Sequence, residues 1–157
     1  MSFTHVNKNN DPCMVNVSEK NVTTRKATAK GEVYLPPEIL SHFSGGEIHS
    51  KKGPVFQTAI IAATMAVKKT SEIIPFCHPI AIEGCDVTIN INDERKVEIL
   101  CTVSCSGKTG VEMEAIMGVQ TAAITIYDMC KALSQKMVID QVRLLEKSGG
   151  KSDIKNL

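Results

Sequence analysis

An α+β domain is predicted by two observations on this 157-residue chain. Several segments alternate apolar and polar residues, as half-buried strands do, and two longer segments repeat apolar residues at helical spacing. Residues 1 to about 24 are polar, with Asn9-Asn10-Asp11-Pro12, and read as an irregular N-terminal arm. Within it Met14-Val15-Asn16-Val17 could form a short edge segment. From Arg25 to Leu35, Ala27, Ala29, Val33 and Leu35 suit a strand that Pro36-Pro37 stops. Pro37 to Phe43 reads as a short helix ending near Gly45-Gly46. A basic loop, Ser50-Lys51-Lys52-Gly53-Pro54, follows, its proline suited to a helix's first turn. That helix runs to about Lys69. Its alanines at 59, 62, 63 and 66 would let the backbone approach a sheet or a second helix closely.

Ile73 to Pro79 breaks the helix, since two prolines forbid regular pairing there. Cys85 to Ile91 alternates as a strand, Asn92-Asp93-Glu94 turns it, and Val97 to Cys105 returns. A long helix is expected from about Val111 to Ser134, then a last strand from Val138 to Leu145. Residues 148–157, with Ser148-Gly149-Gly150-Lys151-Ser152, read as a flexible, lysine-bearing tail. The main order is strand, helix, strand, strand, helix, strand. That is the split βαβ, or ferredoxin-like, plan: an antiparallel sheet with two main helices on one face. The long helix carries few charges before Asp128, which implies burial on more than one side and hence a second copy.

Length and composition allow one domain, 1–157, with its own core. A net charge of +1 argues against a general polyanion-binding surface, so an anionic ligand needs a local group of lysines. Aromatic residues are 4% of the chain, leaving few stacking platforms, and no nucleic-acid partner is expected. No apolar run approaches the roughly 20 residues that span a bilayer. Met1 to Asn7 lacks the layout of a signal peptide, so a cytoplasmic location without membrane contact is expected. The six cysteines include no Cys-x-x-Cys pair and read as small core residues in a reducing compartment.

The chemistry-bearing residues gather around Gly107-Lys108-Thr109-Gly110-Val111-Glu112-Met113-Glu114-Ala115. This is not a phosphate-binding P-loop, because the glycine required five residues earlier is Thr102. Glu112 and Glu114 stand at a helix start, where the dipole keeps carboxylates ionised and able to take paired N–H donors from a guanine- or pterin-like edge. Plain capping acids would look the same. His78 lies in a Cys-His-Pro corner between prolines, where either a functional or a structural histidine fits. Adjacent Cys77 and His78 converge poorly on one ion, so no metal site is assigned. Asp128 and Lys131 are three apart on one helix face, as a simple ion pair or an acid–base couple. Lys52, Lys147 and Lys151 are remote in sequence and would neutralise a phosphate chain if they converged.

Lys51 to Phe56, Ile74 to Pro79, Gly107 to Ala115, Thr125 to Ala132 and Leu144 to Ser152 together closely resemble molybdenum cofactor biosynthesis protein C, the cyclic pyranopterin monophosphate synthase family. The resemblance extends from Phe3-Thr4-His5 to the Gly-Gly-Lys-Ser tail. It implies a ferredoxin-like lyase that rearranges 3′,8-cyclo-7,8-dihydro-GTP to cyclic pyranopterin monophosphate and releases pyrophosphate. It also implies a hexamer, a trimer of dimers, with each site shared across a dimer interface. Carried over, Asp128 matches the family's acid/base residue, and Lys52 and Lys131 its proton-moving lysines. Phe76, Cys77, His78, Glu112, Met113 and Glu114 would contact substrate, and Arg25, Lys147 and Lys151 fit the triphosphate side. No tightly bound cofactor is implied, though magnesium could accompany the triphosphate. The family usually has aspartate where this chain has Asn16, which loses the charge but keeps one acceptor. A non-catalytic ferredoxin-like nucleotide- or pterin-binding module is the other reading.

Overall fold

The computed structural model describes residues 9 and 11–155. The first part of the arm, including Phe3 to His5, therefore lies outside the described residues. The elements in order are β1 (Thr23–Tyr34), α1 (Pro37–Leu40), β2 (Phe43–Ser44), β3 (Glu47–Ser50), β4 (Gly53–Pro54), α2 (Val55–Lys68), α3 (Thr70–Ile73), β5 (Gly84–Ile91), β6 (Lys96–Gly107), α4 (Glu112–Cys130) and β7 (Val138–Ser148). The main sheet has the order β5-β6-β1-β7, with every neighbouring pair antiparallel. Strands β1 and β5 thus run in the same direction with β6 inserted between them, which is the split βαβ arrangement. The α+β class and the antiparallel sheet agree with the sequence expectation.

Alternation decides the sheet's faces. Along β6, Val97, Ile99, Cys101, Val103 and Cys105 are buried while the residues between them are partly exposed. Ala27, Ala29 and Val33 of β1 share that inner face. Helix α4 lies across β1, β6 and β7, and α2 packs beside it, over β5 and β3. Between helices and sheet lies one continuous core, in which Ala59, Ala63, Ala115, Ala122 and Ala123 keep the layers close. Two glycines set the closest approach. A Cβ at Gly31 would stand 2.5 Å from Val119 Cγ1, and one at Gly118 would stand 2.5 Å from Cys101 Sγ.

Several boundaries differ from expectation, each for a local reason. Gly45 and Gly46 do not end a helix. With φ of 60° and 83° they form the two-residue turn of a hairpin in which Phe43 pairs with Ile48 and Ser44 with Glu47. The basic loop becomes the second hairpin of the same small sheet, His49 and Ser50 pairing with Pro54 and Gly53. Helix α4 ends at Cys130, not near Ser134. Residues 11–22 form neither helix nor strand, so Met14–Val17 is not an edge strand. Past β7 the chain turns back: Ile154 bridges Lys147, and the Gly149 N–H donates to Asp153 Oδ1 at 3.0 Å. Within one chain the outer side of α4 is uncovered, with Ile124 59% exposed, as a helix whose second side was expected to meet another copy would be. All six cysteines are free. Burial lifts the Cys101 thiol to about 12, and that of Cys130 to about 11. Among the described residues no helix is long and apolar enough to cross a membrane.

The two glycine contacts predict the cost of filling them. Gly118→Val should destabilise the fold by about 1–3 kcal/mol through overpacking against Cys101 and Val67. A thermal unfolding midpoint equal to that of the unmodified chain would contradict the close approach.

Candidate active site

The loop from Lys108 to Val111 leaves the end of β6, an interior strand, and feeds directly into α4, so the helix starts at one end of the sheet. Facing it is the segment 74–80, which Pro75 and Pro79 keep out of regular structure. A cavity of about 350 Å³ opens between them, lined by Phe76, Cys77, His78, Glu112, Met113 and Glu114. These are the six residues expected to contact substrate, and the fold brings all six together. Val15 and Val17 of the N-terminal arm close one side. The His78 Nε2 lies 2.8 Å from the Val15 carbonyl oxygen. A carbonyl only accepts, so this bond puts the ring proton on Nε2.

The two glutamates differ. Glu112 is half-buried and paired with Lys147, Oε1 to Nζ at 2.8 Å. Glu114 is 4% exposed. Burial pushes its carboxyl above the ordinary range, its own backbone N–H pulls it partly back, and the charge of Glu112 adds to the rise. At this depth desolvation outweighs the hydrogen bond from the helix start, so the carboxyl is raised despite its place in the first turn. Burial and the neighbouring Glu114 also raise the Cys77 thiol, which disfavours its thiolate.

A second cavity, of about 250 Å³, is lined by Lys20, Arg25, Lys26, Lys108, Lys147 and Lys151. Both cavities share Lys20, Thr109, Gly110 and Glu112, so they form one cleft with an acid-lined and a cation-lined half. Arg25 projects from β1, where its Nε donates to the Gly107 carbonyl at 3.2 Å. Lys147 comes from β7, and Lys151 from the turn that Ile154 and Asp153 fold back. The three residues assigned to the phosphate side thus converge.

Lys52, Asp128 and Lys131 converge as well, but elsewhere. Lys131 Nζ lies 2.7 Å from Asp128 Oδ1, and Lys52 Nζ lies 2.7 Å from Oδ2. Lys131 first and Lys52 second lower the Asp128 carboxyl to about 2, and Asp128 in turn raises Lys131. All three side chains are about half exposed. Within one chain this group is open to water. It also stands at the far end of α4, about 24 Å along the axis from Glu112 at 1.5 Å per residue.

Sequence reasoning missed Lys20, Lys26 and Lys108. Lys108 lies in the Gly-Lys-Thr segment, which forms no P-loop; its Nζ donates to the Ser18 carbonyl beside the cleft. Lys20 carries no local signal, since only folding of the arm brings it there. Asn16 is exposed, and its Oδ1 accepts from the Ser18 N–H at 2.8 Å. That is a local turn, which asparagine serves as well as aspartate. Among the described residues no three histidine, cysteine, aspartate or glutamate side chains are grouped to hold a metal ion.

A ferredoxin-like domain thus carries one cleft with carboxyls gathered on one side and cations on the other. The chain belongs to the MoaC family, whose profile matches residues 14–150. It is 51% identical over 156 residues to a molybdenum cofactor biosynthesis bifunctional protein of Synechocystis, covering 97% of this chain and 45% of that protein. It is 49% identical over 152 residues to a cyclic pyranopterin monophosphate synthase of Xanthomonas campestris, covering 97% of this chain and 92% of the relative. A protein of the same name from Thermoanaerobacter pseudethanolicus is 48% identical, with 98% and 97% covered.

The state of Glu114 predicts a pH dependence. A carboxyl raised above its ordinary 4.5 gives stability that is full below that value and is lost as pH rises through the folded-state value. Glu114→Gln removes this titration. Its thermal midpoint should exceed that of the unmodified chain at about pH 8 and converge with it at about pH 4, while KM rises. Equal midpoints at both pH values would contradict a strained, buried carboxyl.

Proposed function

We propose that this chain is a cyclic pyranopterin monophosphate synthase, converting 3′,8-cyclo-7,8-dihydro-GTP to cyclic pyranopterin monophosphate with release of pyrophosphate. Family membership and the names of the relatives support a role in molybdenum cofactor biosynthesis. The observation that carries the reading furthest is the divided cleft. One half matches an N–H-rich ring, since carboxyl oxygens of Glu112 and Glu114 can accept from a guanidine-like edge. The other matches a triphosphate, with Arg25, Lys147 and Lys151 among its cations.

Loss of pyrophosphate with formation of a cyclic monophosphate requires an internal hydroxyl to attack the α-phosphorus while the β,γ unit departs. Cations fixed around that unit lower the barrier, because negative charge grows on it in the transition state. Rearrangement of the ring needs protons removed and returned. Lys52 and Lys131 are suited to move them, with Asp128 holding both ammonium groups in place. No resident cofactor is assigned, and magnesium would arrive with the triphosphate.

The distance along α4 bears on assembly. A substrate in the cleft cannot reach Asp128 of the same chain, whereas a second copy set against it could supply that end. We therefore assign a site shared between two copies, within a trimer of dimers. Exposed apolar residues on the helices' outer faces, Ile61, Met65 and Ile124, are consistent with such contacts. Six unpaired cysteines support a cytoplasmic location.

The test is pyrophosphate release from freshly prepared cyclised dihydro-GTP. The native chain should turn over, and Lys131→Met should lose turnover by about 100-fold or more while still binding substrate. Binding without release by the native chain, with Lys131→Met equally tight, would instead support a non-catalytic binding module.

A further inference from the structure

Lys52 stands on the turn between β3 and β4, strands of four and two residues that have too few ladder bonds to be stiff alone. The turn is nonetheless held at its base. Glu47, the first residue of β3, directs its carboxylate onto the start of α2. Oε1 accepts from the N–H of Ile48 at 2.7 Å and of Phe56 at 2.8 Å, and Oε2 accepts from that of Gln57 at 3.1 Å. Phe56 and Gln57 are the second and third residues of α2, and the helix's own capping position, Pro54, offers no side-chain acceptor. One side chain therefore ties together both ends of the segment that carries Lys52. Within it the Ser50 hydroxyl accepts from the Lys52 N–H and donates to the Gly53 carbonyl, both at 3.1 Å. At the outer end Lys52 Nζ donates to Asp128 Oδ2 at 2.7 Å and to the Asp128 carbonyl at 3.1 Å.

We propose that Glu47 is a positioning residue for the reaction: by clamping the β3–β4 turn to the N-terminus of α2, it fixes where the Lys52 ammonium stands relative to Asp128. The proposal rests on the reading above only in taking Lys52 to act in turnover. The residue type suits the task. A carboxylate is acceptor-only, so two oxygens serve three N–H groups, and the field at a helix start favours its charge. Glutamine would oppose its own NH2 group to one of those N–H donors. Alanine would leave all three without this acceptor.

A helix cap that merely stabilises α2 would leave the Lys52–Asp128 pair alone, and this separates the two roles. The Asp128 carboxyl can be titrated by NMR in the native chain, Lys52→Ala, Glu47→Gln and Glu47→Ala, beside pyrophosphate release. Removing Lys52 raises the Asp128 midpoint, because one of its two cations is gone. The clamp predicts that both Glu47 variants move the midpoint in the same direction. It also predicts a kcat at least about tenfold lower with KM within about twofold. In a Lys52→Ala background, Glu47→Gln should add little further loss. The proposal is overturned if folded Glu47→Gln keeps the native midpoint, or if its loss multiplies with that of Lys52→Ala. It is equally overturned if Lys52→Ala itself leaves the midpoint unmoved. No turnover by the native chain beside a midpoint shifted in the variants would contradict the proposed function while upholding the clamp.

Discussion

The contact between α4 and the sheet is fixed from both sides by missing side chains, Gly31 on β1 facing Val119 and Gly118 on the helix facing Cys101. With alanines at 115, 122 and 123 buried alongside, the helix settles against the sheet at a depth larger residues would not allow. A helix seated that firmly acts as a spacer of set length. Everything attached to its ends inherits fixed positions: the acid-lined half of the cleft at one end, the Lys52–Asp128–Lys131 group at the other. The separation of the two groups follows from the length of α4, not from a chance arrangement of loops.

Electrostatics differ at the two ends for the same reason. At the N-terminus the helix dipole favours Glu112 and Glu114, yet burial lifts Glu114 all the same, so desolvation prevails over the dipole there. At the C-terminus an aspartate is placed against the dipole. Asp128 is held ionised there by two ammonium groups in direct contact, which offset the unfavourable field. One of those lysines comes from the helix itself, and the other from a hairpin anchored on α2 by Glu47. The small sheet thereby does more than link β1 to α2: it delivers a charge to α4 that α4 cannot supply.

Much of this was legible in the chain. Alternation in 85–91 and 97–105 located two strands because one face of each is buried and the other is not, and the sheet order followed from the succession of elements. The i,i+3 spacing of Asp128 and Lys131 correctly placed them in contact. What escaped was short or non-local. Strands of two to four residues, joined by turns of two glycines and two lysines, carry no periodicity, so the β2–β4 sheet read as a helix end and a loop. One turn of helix at Thr70–Ile73 is too brief to register. Lys20 and Glu47 act through chain segments that meet only in the fold. The assignment of the cleft-lining residues to substrate came from the resemblance, since spacing alone left Glu112 and His78 open to structural explanations.

Central to the account is a reaction site completed by a second copy, because α4 keeps the two groups apart within one chain. Glu112→Ala and Lys131→Ala, each expected to be inactive alone, can be unfolded together, refolded, and assayed for pyrophosphate release. A heterodimer of the two carries one intact site and one doubly altered site. The mixture should therefore regain about a quarter of native turnover if subunits pair at random. No recovery, with mixed oligomers verified by native mass spectrometry, would mean that each chain works alone and would contradict the account.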